Sequence, residues 1–559
     1  MRKATTGLPS VAAGAMKILF VMRHSGFVRN FESTLRLLCE RGHRVHVGFV
    51  ITKDRHWMTD STDLAQQLSA AYTNFSSGMV PVREDGWGLL GATLRASSDY
   101  LRYLTPEYRN APKLRERAAE DAFVSVVSLT RRGPFRTRPG RSLVKASCRF
   151  VERCIPVSEE IDRFLVEQGP DLLLCSPLIE PGTPQMEYIR AARARGIRIV
   201  LCVGSWDNLT NKGLIHGPLD LVTVWNDEMK REAVELHGVP PERVAVTGAQ
   251  LFDHWFDWRL STSRETFCAR IGLAPNEPYI LYVCSSRFIA PDEASFVRKW
   301  VRHLRESSSP ALRRAGVLVR PHPQNEEQWR RFDGRDLANF AVYPPAGAVP
   351  VDAASKADYF DSIYHSAAVV GINTSAEIES AIVGRQVYTI LAPEFRDTQE
   401  GTLHFHYFLR VGGGLVHTAV DFPDHFAQLD AALRDGTPDD GRCRRFVEAF
   451  VRPYGVDVPA TPKLVEAIEA AATRAAVPAR STPVVAPLVR PFLKRRAAHL
   501  RRDADVTAAA KAAEVALRRQ EAKKRKIRLL KERARQAREL AASGAAAERR
   551  PPDPDGQLN

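Results

Sequence analysis

The sequence predicts an α/β fold with two doubly wound, Rossmann-like domains that face each other across a cleft. Short apolar runs alternate with helical patterns from residue 16 to about 470, and this alternation indicates βαβ units with parallel strands. The pattern falls into two successive series, separated by a polar stretch near residue 260. Most of the apolar runs end in short polar turns. Because ligands bind at the carboxyl ends of parallel strands, these turns are candidate site residues.

The length of 559 residues indicates two domains with additional segments, since a domain has roughly 100 to 200 residues. The predicted segments are a disordered leader (1–15), a first domain (16–258) with a largely helical insertion (53–150), a second domain (259–472), a Pro-rich linker (473–496), a basic helical tail (497–542) and a disordered end (543–559).

The composition, with 44% hydrophobic and 26% charged residues, is typical of a soluble globular protein. No apolar run approaches the roughly 18 to 20 residues that a membrane span needs. The eight cysteines lack CxxC spacing, and three lie in apolar runs. This favours buried thiols over disulfides or a zinc site, so we expect a cytoplasmic protein.

The positive charge is concentrated near the carboxyl end. Residues 490–540 contain 18 Lys/Arg and 6 Asp/Glu, which accounts for +12 of the formal net charge of +15. This favours either a solvated helical tail or attraction of the tail to an anionic membrane surface on the inner face of the membrane. The tail has no interleaved aromatic residues, so specific nucleic-acid binding is not expected. The sequence carries no prediction of the oligomeric state.

In the first domain, MKILFVM (16–22), a helical pattern ending at Gly42, and RVHVGFV form the opening βαβ unit. The intervening turn places His24 at the ligand edge of the sheet. A later strand, RIVLCVG, ends at Asp207. We therefore predict His24 or Asp207 as the base of an acceptor reaction, with an ordinary turn as the alternative in each case.

In the second domain, three strands end in polar turns: Ser285-Ser286-Arg287, Arg320-Pro321-His322-Pro323 and Asn373-Thr374-Ser375. Hydroxyl, guanidinium and imidazole groups that converge on one sheet edge suit a diphosphate without any metal. No cofactor is therefore expected.

The segment GINTSAEIESAIVGRQVYTI (371–390) predicts a strand, a turn, a helix and a second strand. Glu377 and Glu379 lie just inside the helix, where a carboxylate can accept both hydroxyls of a ribose. The alternative is that Asn373 or Thr374 caps the helix and both glutamates favour its first turn.

Two further candidates are less specific. His404 and His406 would share one face of a strand, but no third metal ligand is evident nearby, so we place them in a loop beside the donor sugar and predict no metal. The triplet Glu84-Asp85-Gly86 is either an acid/base pair or a turn.

The order of these elements resembles that of the GT-B glycosyltransferases over residues 16 to about 470. In that family a Glu five residues before a Gly binds the nucleotide ribose, and counting back from Gly384 gives Glu379. Thr374 and Ser375 match the phosphate-binding turn, and Ser285 and Ser286 match the loop after the first strand of the second domain.

A second resemblance concerns His322-Pro323, which is similar to the His-Pro of CDP-glycerol glycerophosphotransferases and bacterial sialyltransferases, where the His meets the donor phosphate or takes part in catalysis. Those sialyltransferases carry an acidic pair before Gly, which Glu84-Asp85-Gly86 matches.

The resemblance implies a metal-independent transfer of a sugar from a nucleotide-sugar donor to a cell-surface polysaccharide or lipid-linked acceptor. The alternatives are a CDP-glycerol-type glycerophosphotransferase, a nucleotide-sugar epimerase and a non-catalytic scaffold that binds partners.

Overall fold

The computed structural model describes residues 14–51, 56–345, 347–350, 352–435, 440–507 and 509. Most of the predicted leader, most of the predicted basic tail and the whole of the predicted disordered end lie outside these residues. No helix within the described residues is long and apolar enough to cross a membrane.

The first domain is built on a parallel sheet of seven strands in the order β3-β2-β1-β4-β5-β6-β7. The strands are β1 (Lys17–Met22), β2 (Arg44–Phe49), β3 (Phe75–Met79), β4 (Leu172–Ser176), β5 (Arg198–Cys202), β6 (Leu221–Val224) and β7 (Val244–Val246). In the central strand β1, Phe20 is opposite Val47 on one side and Leu174 on the other. All of β1 except Lys17 is buried, as expected for a strand that is covered on both faces.

The second domain has a parallel sheet of six strands in the order β10-β9-β8-β11-β12-β13. The strands are β8 (Tyr279–Val283), β9 (Gly316–Arg320), β10 (Phe340–Val342), β11 (Ala368–Gly371), β12 (Val387–Ile390) and β13 (Val416–Ala419). In both sheets the strand order reverses beside the first strand, which is the doubly wound arrangement. The predicted fold class is therefore confirmed.

Helices cover both faces of the two sheets. Those of the first domain and its insertion are α1 (Glu32–Glu40), α2 (His56–Ala71), α3 (Gly86–Arg102), α4 (Pro112–Asp121), α5 (Val124–Leu129), α6 (Arg138–Cys154), α7 (Glu159–Gln168), α8 (Gln185–Ala194), α9 (Asn208–Asn211), α10 (Asp227–Glu235) and α11 (Asp253–Phe256). Those of the second half of the chain are α12 (Arg264–Ile271), α13 (Glu293–Glu306), α14 (Pro310–Arg314), α15 (Glu326–Arg330), α16 (Ala353–Tyr364), α17 (Ala376–Ile382), α18 (Phe405–Arg410), α19 (Phe422–Asp435), α20 (Arg442–Phe450) and α21 (Ala460–Thr473).

The last of these helices, α21, returns to the first domain. Leu464, Val465 and Ile468 pack into the core beneath β1 and α1. The carboxylate of Asp253 accepts hydrogen bonds from the backbone N–H groups of Ala460 (3.0 Å) and Thr461 (2.7 Å), so it anchors the start of α21. The predicted end of the second domain at residue 472 therefore includes a helix that belongs by its packing to the first domain.

The predicted insertion begins too early at residue 53, because β3 pairs with β2 in the main sheet. Helices α3 to α6 after β3 form the insertion and enclose an apolar core of their own. The triplet Glu84-Asp85-Gly86 is a helix start, since Asp85 Oδ1 accepts a hydrogen bond from the Gly88 N–H (3.0 Å) and caps α3. A side chain at Gly86 would collide with the backbone of Ala497, so glycine permits this close approach.

The linker predicted over 473–496 ends before residue 486, because residues 486–507 form a helix, here called the C-terminal helix. The preceding segment is attached to the first domain: Arg193 Nη1 donates to the Val477 carbonyl (2.6 Å), and Arg153 Nη2 donates to the Ser481 carbonyl (2.7 Å).

Candidate functional site

A cavity of about 740 Å³ lies between the two domains, at the carboxyl ends of β8, β9 and β11. The strand order of the second sheet reverses between β8 and β11, and this is the position where open α/β sheets bind ligands. Five residues predicted from the sequence line the cavity: Arg320, His322, Thr374, Ser375 and Glu379.

Arg320 ends strand β9 and is 9% exposed. Its guanidinium donates one hydrogen bond, to Ser362 Oγ (3.3 Å), and lies 4.8 Å from the ring centroid of Tyr359. Within the described residues it forms no ion pair, and burial lowers its pKa. A buried cation without a carboxylate partner is costly unless an anion completes its coordination.

His322 follows Arg320 by two residues. Its Nδ1 accepts a hydrogen bond from the Gln324 N–H (3.1 Å), which fixes the neutral ring as the Nε2–H tautomer. Burial, together with the nearby positive charge of Arg29, lowers the pKa of His322 to about 4. At neutral pH this ring is therefore a hydrogen-bond donor to the cavity and carries no charge.

The turn between β11 and α17 provides further donors. Ser375 is exposed at the start of α17 and its hydroxyl caps no backbone group. The N–H groups of Ser375 and Ala376 make no hydrogen bond within the described part of the chain. Together with the Thr374 hydroxyl they can therefore receive phosphate oxygens.

Asn373 and Glu377, which were also predicted to bind the donor, turn away from the cavity. Glu377 is fully buried, and its Oε2 accepts the Thr374 N–H at 2.7 Å. Its carboxyl group lies against Gly371, where any side chain would crowd it. The side chain of Asn373 donates to Thr402 Oγ1 (3.0 Å). Both residues hold the turn in place, and the prediction that they contact the ligand is wrong.

Glu379 lies one turn into α17 and faces the cavity. The Tyr359 hydroxyl donates to its Oε2 (2.5 Å), and Oε1 accepts no hydrogen bond within the described residues. Burial raises the pKa of Glu379 to about 7, although the Tyr359 hydrogen bond and the charges of Arg29 and Arg320 oppose this. The carboxylate is therefore placed to accept hydroxyl groups of a ligand.

The loop after β8 does not line the cavity with its predicted residues. Ser285 is fully buried, donates its backbone N–H to both oxygens of Glu293 (3.1 and 2.9 Å), and accepts the Asn373 N–H. Ser286 is half-buried and Arg287 is exposed, and neither lines the cavity. The loop therefore stabilises the turn after β11, because the Ser285 hydroxyl accepts the buried backbone N–H of Asn373.

The opposite wall comes from the first domain and contains Arg29, which the sequence analysis missed. Arg29 follows β1 in the short 3-10 helix Ser25–Phe31, and within the described residues it forms no hydrogen bond or ion pair. Its charge acts on both His322 and Glu379 across the cleft. The aromatic rings of Trp255 and Trp258 complete this wall. Its local sequence offers little signal, because Arg29 is a single basic residue seven positions after the end of β1.

The two predicted bases, His24 and Asp207, lie outside the cavity lining. His24 Nδ1 accepts the Gly26 N–H (3.1 Å), so this residue caps the 3-10 helix. Asp207 accepts a hydrogen bond from Ser205 Oγ (2.7 Å). Burial would raise the pKa of Asp207, but Lys212 and His404 hold it below its usual value. Both residues belong to structural networks at the rim of the first sheet.

His404 and His406 do not lie on a strand. His404 precedes α18, where Nδ1 meets Asn211 Nδ2 (2.7 Å) and the ring packs edge-on against Trp206 at 4.5 Å. His406 Nε2 lies 3.2 Å from the Glu400 carbonyl oxygen. Neither lines the cavity, and the described residues contain no metal-binding cluster of His, Cys, Asp and Glu. His404 is part of the interdomain contact instead.

The cavity thus combines cationic and neutral donors from both domains with the carboxylate of Glu379 from the second domain. Arg320, Arg29, the His322 Nε2–H and the turn after β11 suit an anion with several oxygens, such as a diphosphate. Glu379 suits a neighbouring pair of hydroxyl groups, and the flat rings of the first domain offer an apolar surface.

Comparisons with solved structures find proteins of similar architecture. The chain is 10% identical to a UDP-GlcNAc 2-epimerase from Methanocaldococcus jannaschii in complex with UDP-GlcNAc and UDP, covering 80% of this chain and 98% of that one with a TM-score of 0.42. A glycosyltransferase from Rickettsia africae is 10% identical, with 82% of this chain and 100% of that one covered and a TM-score of 0.47. The calicheamicin glycosyltransferase CalG4 is 12% identical, with 83% of this chain and 100% of that one covered and a TM-score of 0.42. No protein-family model and no curated protein sequence matches the chain.

The chain has the GT-B fold. This assignment rests on the strand order of its two sheets and on the cleft between them. The activity is a separate matter, because one fold hosts many reactions.

Proposed function

We propose that the cavity binds a nucleotide-sugar and that the protein is a metal-independent glycosyltransferase acting on a cell-surface polysaccharide or lipid-linked acceptor. The observation that carries the proposal is the environment of Arg320. This guanidinium is buried and forms no ion pair within the described residues, and the Nε2–H of His322 and the N–H groups after β11 belong to the same cavity wall. A donor diphosphate supplies the missing negative charge.

In this proposal the cavity residues act on the departing diphosphate. Arg320 and Arg29 neutralise the charge that develops on its oxygens, and neutral His322 donates a hydrogen bond. Arg320 and His322 are held by hydrogen bonds before the reaction, so they stabilise the leaving group with little reorganisation. Glu379 holds the ribose hydroxyls and Tyr359 orients its carboxylate.

A nucleotide-sugar epimerase is the second candidate, because both predicted acceptor bases lie outside the cavity lining. An epimerase needs no external acceptor, so it needs no base that faces one. The two candidates differ in what happens to a nucleotide-sugar alone. Proton NMR of UDP-N-acetylglucosamine and other nucleotide-sugars, incubated with the protein, detects a second sugar epimer in the epimerase case. A glycosyltransferase leaves the sugar configuration unchanged until an acceptor is added.

The role of Glu379 provides the binding test. Glu379→Gln should weaken the binding of a nucleoside diphosphate by about tenfold, since the neutral amide is a poorer partner for two hydroxyls. The affinity for inorganic pyrophosphate, which has no ribose, should not change. Glu327→Gln, an exposed position in the same domain, is the matched control. Equal losses for both ligands in isothermal titration calorimetry would overturn the assignment of Glu379 to the ribose.

The same titrations distinguish the remaining alternatives. Binding restricted to cytidine nucleotides favours a glycerophosphotransferase of the CDP-glycerol type, in which His322 takes part in catalysis. Binding of no nucleotide favours a non-catalytic scaffold.

A further inference from the structure

The C-terminal helix is firmly attached to the insertion of the first domain. Arg490 Nε donates to the Cys154 carbonyl (2.9 Å), and the guanidinium of Arg496 lies 5.5 Å from the ring centroid of Phe123. Ala497 is 3% exposed and rests on Gly86. The orientation of this helix, and hence of its outer face, is therefore fixed by packing.

The outer face of the C-terminal helix carries large apolar side chains. Leu488 and Phe492, four residues apart on one face, are 75% and 70% exposed. Val484, just before the helix, is 96% exposed. Large apolar side chains scattered singly are ordinary on protein surfaces, but a contiguous group marks an interaction site.

The same helix is basic. It contains six Lys/Arg and two Asp residues. Arg495 and Arg502 lie seven residues apart on the outer face and continue the line of Leu488 and Phe492, since residues at intervals of three or four share one side of a helix. An exposed apolar pair bordered by cations on one helix face is the pattern of a helix that lies in a membrane interface.

Helix α6 of the insertion also presents large apolar side chains beside the start of the C-terminal helix. Leu143 and Phe150, seven residues apart, are 61% and 43% exposed. Helix α6 contains five Lys/Arg and one Glu residue. Its end is bonded to the C-terminal segment through Arg153 and Ser481. Two neighbouring elements therefore present exposed apolar side chains, and α6 also carries the exposed cations Arg138, Arg149 and Arg153.

We propose that the outer faces of the C-terminal helix and α6 dock on the surface of an anionic lipid bilayer. The apolar side chains enter the headgroup region and the basic side chains contact the lipid phosphates and carboxylates. Charge complementarity identifies the bilayer as the partner. An anionic bilayer has negatively charged headgroups above an apolar interior, and this face of the protein presents both cations and apolar side chains. The proposal does not depend on the reaction in the cleft.

Flotation of the full-length protein with liposomes tests this docking surface. Vesicles of 70% phosphatidylcholine and 30% phosphatidylglycerol should carry the protein upward at low salt. Binding should weaken as salt increases, because the Debye length shortens. Vesicles of pure phosphatidylcholine should bind much less. Equal binding to both vesicles, or no binding to either, would overturn the proposal.

Two double substitutions separate the apolar contribution to vesicle binding from the electrostatic one. Leu488→Ala with Phe492→Ala should weaken partitioning by roughly tenfold or more through lost apolar burial. Arg495→Gln with Arg502→Gln should weaken it by roughly twenty-five-fold, since each basic side chain near the surface contributes about fivefold. Val420→Ala, 71% exposed in the second domain, and Arg330→Gln with Arg331→Gln are the matched controls and should bind as the wild type does.

Unchanged thermal unfolding confirms that each variant is folded, as expected for exposed positions. If the helix variants bind vesicles as tightly as the wild type, this face is not the docking surface. A dimer in solution that the Leu488 and Phe492 substitutions dissociate would replace the bilayer with a second copy of the chain. Binding to a single-stranded RNA that these substitutions abolish, without vesicle binding, would equally overturn the proposal.

Discussion

Replacement of Arg320 by Met should separate ligand binding from stability. Arg320 is 9% exposed, its guanidinium makes one hydrogen bond to Ser362, and it contacts the ring of Tyr359. Met keeps most of the apolar stem and removes the charge. The substitution therefore tests whether the buried cation serves the fold or an anionic ligand.

Ligand affinity and folding stability should respond differently to Arg320→Met. Hydrogen bonds to charged groups contribute about 1.5 to 3 kcal/mol each, so the loss of the guanidinium should weaken binding of a nucleoside diphosphate by about thirtyfold or more. Without ligand, the lost ring contact of about 1 kcal/mol is offset by the relief of an unpaired buried charge. We therefore expect the free energy of unfolding to stay within about 1 kcal/mol of the wild type.

Isothermal titration calorimetry measures the affinity, and urea unfolding without ligand measures the stability. Arg305→Met is the matched control in the same domain, because its guanidinium holds the carbonyls of Leu312 (3.1 Å) and Ala338 (2.8 Å). This control should lower stability and leave the affinity unchanged. The reasoning is refuted if Arg320→Met binds nucleoside diphosphates within threefold of the wild type and unfolds at clearly lower urea.

Three further substitutions test other parts of the structure. Arg29→Gln should weaken nucleoside diphosphate binding by roughly tenfold in calorimetry without changing thermal unfolding, since Arg29 lines the cavity and pairs with none of the residues that the structure describes. Asp253→Ala should lower the free energy of unfolding by about 3 kcal/mol in urea, because Arg452 and the start of α21 lose their buried carboxylate. Glu232→Gln should change the pH dependence of stability, since burial raises the Glu232 pKa to about 8 despite the hydrogen bond from Tyr407. Between about pH 4.5 and 8 the folded state binds the extra proton, so wild-type stability should fall relative to the variant by about 4 kcal/mol as pH rises.

For each of these three substitutions, one result would contradict the expected outcome. A lower unfolding temperature of Arg29→Gln without ligand would make Arg29 a structural residue. Near wild-type stability of Asp253→Ala would mean that α21 is held by its apolar contacts alone. Parallel stability curves of Glu232→Gln and the wild type from pH 5 to 8 would show that this carboxyl group titrates normally.

The sheet and its ligand edge were predictable from local patterns. Buried parallel strands produce apolar runs, and the turns at their carboxyl ends are polar, so Arg320, His322 and Glu379 could be assigned to one cavity. The edge strand β3 was missed because its sequence, FSSGM, is short and mostly polar. Strands of that composition are not distinguished from loops by periodicity.

Other predictions failed where the role of a residue depends on the orientation of its side chain or on contacts with residues distant in the sequence. Within one turn, Thr374 faces the cavity and Asn373 faces Thr402, and sequence alone does not show which way each side chain points. Glu377 is recruited by the backbone N–H of Thr374, because a buried donor needs an acceptor. His404 meets Asn211, 193 residues earlier, and such a contact leaves no local pattern.

The central claim is that the cavity binds a nucleoside diphosphate, and a thermal-shift panel tests it most directly. The full-length protein is heated with UDP, GDP, CDP, CMP or dTDP at millimolar concentration. A ligand at 100 times its dissociation constant stabilises the folded state by about 2.7 kcal/mol. We predict that at least one diphosphate raises the unfolding temperature by several degrees and that Arg320→Met abolishes the increase. Unchanged unfolding temperatures with all five nucleotides would contradict the assignment of this cavity.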